Sequence, residues 1–277
     1  MFDGTDVENY AYDAYGNLSS ETKNSTLARE YFWNARNQLI QAKIYNESGG
    51  ALAYTLYFEY DDNGTRVSRL QTEGAGESNP STTRFLTDYR NPTGYNQTLA
   101  ETDAGGNVEN QYTYGDSLLA QSADGGALFH ADHLGSTRLL TDFAGAPVGD
   151  SAIDYTPYGD LLSGDGSLTS YQFTGQYCDE LFGHQYHRER WLNTSLSGWC
   201  SIDPHFDFPI NFGNEYMYAG QNPILFVDLT GGTSCGEISV VSGVAGQISS
   251  PLKKGLFLFQ PRYAAFQRDV CCKAKIA

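Results

Sequence analysis

The sequence predicts an all-β fold, and three observations carry that prediction. Tyr (20 residues) and Gly (30 residues) are abundant while charged residues make up only 18% of the 277-residue chain, a composition suited to half-buried strands and tight turns. Short aromatic-rich stretches recur, each closing on an Asp or Asn followed three positions later by Gly or Asn. Each such stretch is then continued by an apolar residue that restarts the strand pattern.

The repeats come first along the chain. YAYDAYGNL (10–18) aligns with YFWNARNQL (31–39) at a shift of 21 residues. FEYDDNGTRV (58–67) is a third copy and YTYGDSLLAQ (112–121) a weaker fourth. Aromatics two positions apart point to one face of a strand. The Asp or Asn opens a turn, and its fourth position, Gly16, Asn37 or Gly64, tolerates positive φ. Each unit therefore reads as a hairpin, and stacked hairpins give an extended antiparallel sheet.

Charge and cysteines narrow the function classes. A net charge of −16 argues against a phosphate-backbone partner, so no nucleic-acid binding is expected. The five cysteines (Cys178, Cys200, Cys235, Cys271, Cys272) are scattered, odd in number and form no CxxC pair, which excludes a disulfide framework. No apolar run approaches the length of a membrane span, and the opening MFDGTDVENYAYD has neither the basic nor the apolar region of a secretory signal. It enters a strand pattern almost at once, so further shell repeats are expected on its N-terminal side.

Motifs in the second half carry a resemblance. HADHLGSTRLLTDFAGAPVGDSAIDYTPYGDLL (130–162), FTGQYCDELFGHQYHRERW (173–191) and NEYMYAGQNPILFVDLTG (214–231) follow one another in order. Together with the tyrosine repeats, over roughly residues 10–232, they resemble the RHS (rearrangement hotspot), or YD-repeat, family and its repeat-associated core. The resemblance implies a β-hairpin sheet belonging to a spiralling hollow shell, ended by a core plug. It implies a YD-repeat sheet at 1–125, the core at 126–232 and a variable tail at 233–277. It also implies a secreted or cell-surface setting as part of a longer protein.

The resemblance further implies that the core is similar to an aspartic protease that cuts its own chain, with the C-terminal segment as substrate and cargo. Peptide hydrolysis by carboxylates needs one ionised to activate water and one protonated to donate. The family's Arg stands thirteen residues before its first Asp; here Arg190 precedes Asp203 by that interval, and Asp228 takes the second Asp position. Asp203 opens an Asp-Pro pair, so a turn role competes with a catalytic one. Arg190 would orient the carboxylates. Cleavage is expected between Gly232 and Thr233. The chain departs from the family pattern at Leu229, where Pro is usual, at Gly232, where Leu is usual, and at Ser197-Gly198-Trp199, which lacks an Arg.

Other candidates are weaker. His130/His133 and His184/His187 have an H-x-x-H spacing, but on strands such pairs face opposite sides, and no third ligand group is evident; no metal or cofactor is expected. Cys178 and Cys200 show no activating arrangement. The tail contains six basic residues (Lys253, Lys254, Arg262, Arg268, Lys273, Lys275) against Glu237 and Asp269, opposite in sign to the rest. Two function classes remain open: a self-cleaving aspartic protease ending an encapsulating shell, and a non-enzymatic β-scaffold or surface-interaction module.

Overall fold

The structure, a computed structural model, describes residues 7–46, 50–205 and 214–232. The expected cleavage residue Thr233 and the tail 233–277 lie outside the described residues. Thirteen strands form one antiparallel sheet in which spatial order equals chain order. They are β1 (Glu8–Tyr12), β2 (Leu18–Lys23), β3 (Thr26–Trp33), β4 (Leu39–Tyr45), β5 (Leu52–Tyr60), β6 (Arg66–Glu73) and β7 (Ser78–Asp88), followed by the next six. Those are β8 (Gln97–Thr102), β9 (Val108–Tyr114), β10 (Leu118–Gln121), β11 (Ala127–Ala131), β12 (Thr137–Thr141) and β13 (Pro147–Val148). The sheet thus runs continuously past position 125.

One local device recurs at several of these hairpins. Asp13 Oδ1 accepts from the N–H groups of Tyr15 (2.8 Å) and Asn17 (2.9 Å), and Gly16 sits at φ +81°. Asn34 does the same for Arg36 and Gln38 with Asn37 at φ +56°, and Asp61 for Asn63 and Thr65 with Gly64 at φ +85°. The side chain replaces ladder partners that the turn removes, which is why Asp or Asn leads each unit. A register shift falls immediately before these turns, at Ala11/Tyr12, Phe32/Trp33 and Glu59/Tyr60. Each such bulge adds right-handed twist at the same point of the hairpin. Successive units are tied together as well: Trp33 Nε1 donates to Leu18 O (2.7 Å) and Tyr60 Oη to Leu39 O (2.8 Å).

A second sheet packs on this one. β14 (Asp154–Tyr155) and β15 (Leu161–Ser163) form a small hairpin; β16 (Tyr177–Asp179), β17 (His184–His187), β18 (Arg190–Asn193) and β19 (Gly198–Trp199) form a four-stranded sheet. Every residue of β17 and β18 is buried, because the sheet is covered on both faces. On one face Tyr186 and Trp191 join Phe182 against Leu18, Tyr31, Leu39, Leu56 and Phe58 of the long sheet. On the other, Leu192 and Trp199 pack with Ile153, Tyr155, Phe173 and Tyr218. The helical pieces described are 3-10 turns of three residues each, such as Ala219–Gln221. Among the described residues no helix is long and apolar enough to cross a membrane.

Polar contacts lock the layers in place. Arg69 of β6 pairs with buried Asp179 of β16 at 2.5 Å. Glu21 of β2 accepts from Arg29 (2.7 Å), Tyr31 Oη (3.0 Å) and Asn193 Nδ2 (2.8 Å), with His184 Nε2 at 3.4 Å. Such buried groups need all of these partners to offset desolvation.

Candidate active site

The two-residue turn between β17 and β18 positions the site. His187 pairs with Arg190 in the ladder, so Arg188 and Glu189 form the loop, with Arg188 at φ +67°. Four consecutive residues of this hairpin donate to four consecutive carbonyls of the closing segment. His187 Nδ1 donates to Asp228 O (2.6 Å), Arg188 Nη1 to Leu229 O, Glu189 N to Thr230 O (3.0 Å) and Arg190 Nε to Gly231 O. The segment ahead of Gly232 is therefore held through its backbone, rung by rung.

That grip brings the sequence-predicted residues together. Arg190 Nη2 lies 3.2 Å from Asp203 Oδ2 and 3.5 Å from Asp228 Oδ2. The two carboxylates meet on a single guanidinium nitrogen, so their Oδ2 atoms are no further apart than the sum of those distances. The guanidinium itself stacks 4.2 Å from the Trp199 ring centroid and also donates to Glu215 O. Arg190 is 3% exposed and Asp228 2% exposed, so solvent screens their interaction little.

The remaining oxygens are used locally. Asp228 Oδ1 accepts from Gly231 N at 2.8 Å and lies 3.3 Å from both the N–H and the hydroxyl of Thr230. Asp203 Oδ1 accepts from His205 N at 2.8 Å. Asp203 is thus both a turn opener and a carboxylate aimed at Arg190. Burial pushes the Asp228 carboxyl above its ordinary value, with the Asp203 charge adding, against Arg190 and the Gly231 N–H, which pull it down.

His187, Arg188 and Glu189 make contributions that the residue sequence does not announce. Burial holds the His187 imidazole down to about 3, so it is neutral, and its bond to a carbonyl makes Nδ1 the protonated nitrogen. Arg188 also donates to Asn96 O and Gln176 Oε1, both at 2.9 Å, and stacks on Tyr95. It borders a cavity of about 380 Å³ that Leu229, Tyr114 and Tyr171 also line. The only signal for these roles was proximity in sequence to Arg190.

The other histidines and the thiols have structural surroundings. His184 faces Glu21 and Tyr31 of the long sheet, whereas His187 faces Trp199 and Tyr218 on the opposite side. His130 meets Thr141 Oγ1 at 3.0 Å and His133 meets Ile224 O at 3.3 Å. No cluster of His, Cys, Asp and Glu able to hold a metal occurs among the described residues. Burial pushes the Cys178 thiol up to about 12 and Cys200 well above the usual range, which leaves neither as a ready thiolate.

With the geometry in place, likenesses to known proteins can be set beside it. No family model matches the chain. It is 27% identical over 236 residues to the tRNA3(Ser)-specific nuclease WapA of Bacillus spizizenii, covering 81% of this chain and 9% of that protein. It is 23% identical over 246 residues to the double-stranded DNA deaminase toxin A of Burkholderia cenocepacia, covering 79% of this chain and 16% of that protein. The chain therefore spans only a small part of these relatives. The fold resembles a chain in the Tc holotoxin pore of Photorhabdus luminescens carrying a TccC3 mutation. The TM-score is 0.55 at 16% identity, over 81% of this chain and 13% of that one. The structural likeness carries the fold, a large antiparallel β-sheet.

Proposed function

We propose that this chain is the C-terminal part of an RHS-type encapsulating toxin, and that its core cleaves its own backbone as an aspartic protease. The supporting observation is the meeting of Asp203 and Asp228 on one nitrogen of Arg190, four residues before the Gly232–Thr233 bond. Asp228, the more deeply buried carboxyl, holds the proton; Asp203 takes a proton from the attacking water. The water oxygen forms the new bond to the Gly232 carbonyl carbon and the carbonyl oxygen is protonated from Asp228; the C–N bond then breaks as the proton held by Asp203 passes to the Thr233 nitrogen and one hydroxyl proton returns to Asp228. Because the four-carbonyl grip holds the substrate on the same chain, no encounter entropy opposes the reaction.

In this reading the repeat sheet expected at 1–125 continues through β13, the rest of the chain to 232 forms the plug, and 233–277 is the released segment, outside the producing cell. The toxin setting rests on relatives whose names are those of a nuclease and a deaminase toxin. Intact-mass measurement of wild type, Asp203→Asn and Asp228→Asn tests the chemistry. Wild type is expected as two fragments parted after residue 232, with both variants whole. A wild type that keeps full mass at mildly acidic and neutral pH leaves the scaffold reading, which the capping of Asp228 Oδ1 by Gly231 N would then explain.

A further inference from the structure

The residue ahead of the proposed cut is glycine in this chain, and its surroundings differ from those of the glycine before it. At Gly231 the backbone itself excludes a side chain: φ is +75°, and a Cβ would lie 2.6 Å from His187 O and 2.8 Å from Arg190 N. Gly232 has no such conformational demand. A Cβ there would collide with Glu189 Oε2 and approach His205 Cδ2 to 3.0 Å. Both obstacles are ends of mobile side chains, paired with each other at 3.2 Å and 44% and 63% exposed. What meets a side chain at 232 is therefore charge more than a wall.

That charge is negative. Asp203 and Asp228 share the guanidinium of Arg190, and the neighbouring Glu189 pairs with His205. Burial pushes Glu189 above its ordinary value and the Asp228 and Asp203 charges add to this, against His205 and Arg190. The three carboxylates thus feel one another. A cation at 232 could pair with Glu189, an apolar side chain would displace the Glu189–His205 pair, and an anion would add a fourth carboxylate.

We infer that Glu189 and His205 form an acidic subsite that reads residue 232, accepting glycine best, a basic side chain next and an acidic one least. This rests on the protease reading above and names the substrate preference of that same site. Glu189 and His205 act here as specificity-determining residues and take no part in bond breaking.

Two readouts test it on the full chain. In cleavage time courses, Gly232→Asp is expected to be at least about tenfold slower than Gly232→Lys, the scale of one repelled charge near a protein surface. Glu189→Gln should shrink that gap to about twofold or less. Thermal midpoints of the same Gly232 variants, measured in an Asp203→Asn background that keeps the chain whole, should fall in the same order and converge with Glu189→Gln. A Lys–Asp gap of unchanged size after Glu189→Gln, in either readout, overturns the subsite. If wild type is never cut, the protease reading fails while the midpoint series still decides whether Glu189 faces residue 232.

Discussion

The imidazole of His187 donates through Nδ1 to the main-chain carbonyl of Asp228 at 2.6 Å. A side chain on the four-stranded sheet thereby fixes the backbone of a residue 41 positions later. Its ring is held neutral to about 3, whereas an unfolded chain would protonate it near its ordinary 6.5. For a base with a depressed folded value, the unfolded state binds the proton more readily. Stability should therefore decline as pH falls from about 6.5 toward about 3, by a few kcal/mol at most. His187→Gln, which does not titrate, is expected to flatten this slope in urea unfolding at pH 6.5, 5 and 4.

Glu21 gives acid sensitivity in a lower window. Burial alone would raise its carboxyl, but the hydrogen bond and charge of His184 and the pairing with Arg29 outweigh it and hold the group down to about 2. The stabilisation is complete above about 4.5 and is lost as pH falls toward 2, an upper limit of about 3 kcal/mol. Glu21→Gln should cost most of this at pH 7 and little at pH 2.5, read by denaturant midpoints.

Asp228 moves the opposite way, since its folded value is raised above 3.8. Its ionisation on going to higher pH costs folding free energy and removes the proton the proposed reaction needs. Cleavage rate is expected to fall as pH rises through the folded value of Asp228. A rate that increases steadily up to pH 9 would contradict its role as proton donor.

The repeated turns offer a contrast in one substitution. Gly16 and Gly106 have nearly the same φ, +81° and +85°. A Cβ at Gly106 would meet nothing within 4 Å, while at Gly16 it would lie 2.7 Å from Ile202 Cγ2 and 2.8 Å from Tyr216 Oη. Gly106→Ala should cost about 1 kcal/mol, the conformational penalty alone. Gly16→Ala should cost clearly more, about 2–3 kcal/mol with the steric clash. Equal losses in thermal unfolding would mean that the first turn is not docked on the core segment.

Much of the sheet was legible because its information is local: Asp13, Asn34 and Asp61 each announce a turn within five residues. The turn at Asp103–Asn107 has the same geometry, with Asp103 Oδ1 accepting from Asn107 N at 2.8 Å, but its flanks lack the aromatic pair and it went unrecognised. Arg190, Asp203 and Asp228 are named only through the family motif they match, and in the structure Arg190 Nη2 lies 3.2 and 3.5 Å from the two carboxylates. The four-rung grip could not be read from the sequence, because its four acceptors are the main-chain carbonyls of Asp228, Leu229, Thr230 and Gly231, and backbone acceptors leave no mark in residue identity. The Glu189–His205 pair was hidden for a related reason, since only the fold brings position 205 beside position 189.

The chain-order arrangement of the thirteen strands has a temporal consequence. Each strand pairs with its immediate predecessor, so the sheet can lengthen one hairpin at a time as the chain is synthesised, without waiting for distant residues. The reactive centre follows the reverse schedule. Its surroundings join Tyr216 Oη to Gly16 O, 200 residues apart, and Cys200 O to Leu18 N, so the β1–β2 hairpin and the segment after β19 must both be present. Whatever chemistry Arg190 and its two carboxylates carry can begin only after the sheet beneath them has been laid down. The topology thus orders the two events: β1 to β13 can pair in sequence before Arg190 meets its two carboxylates.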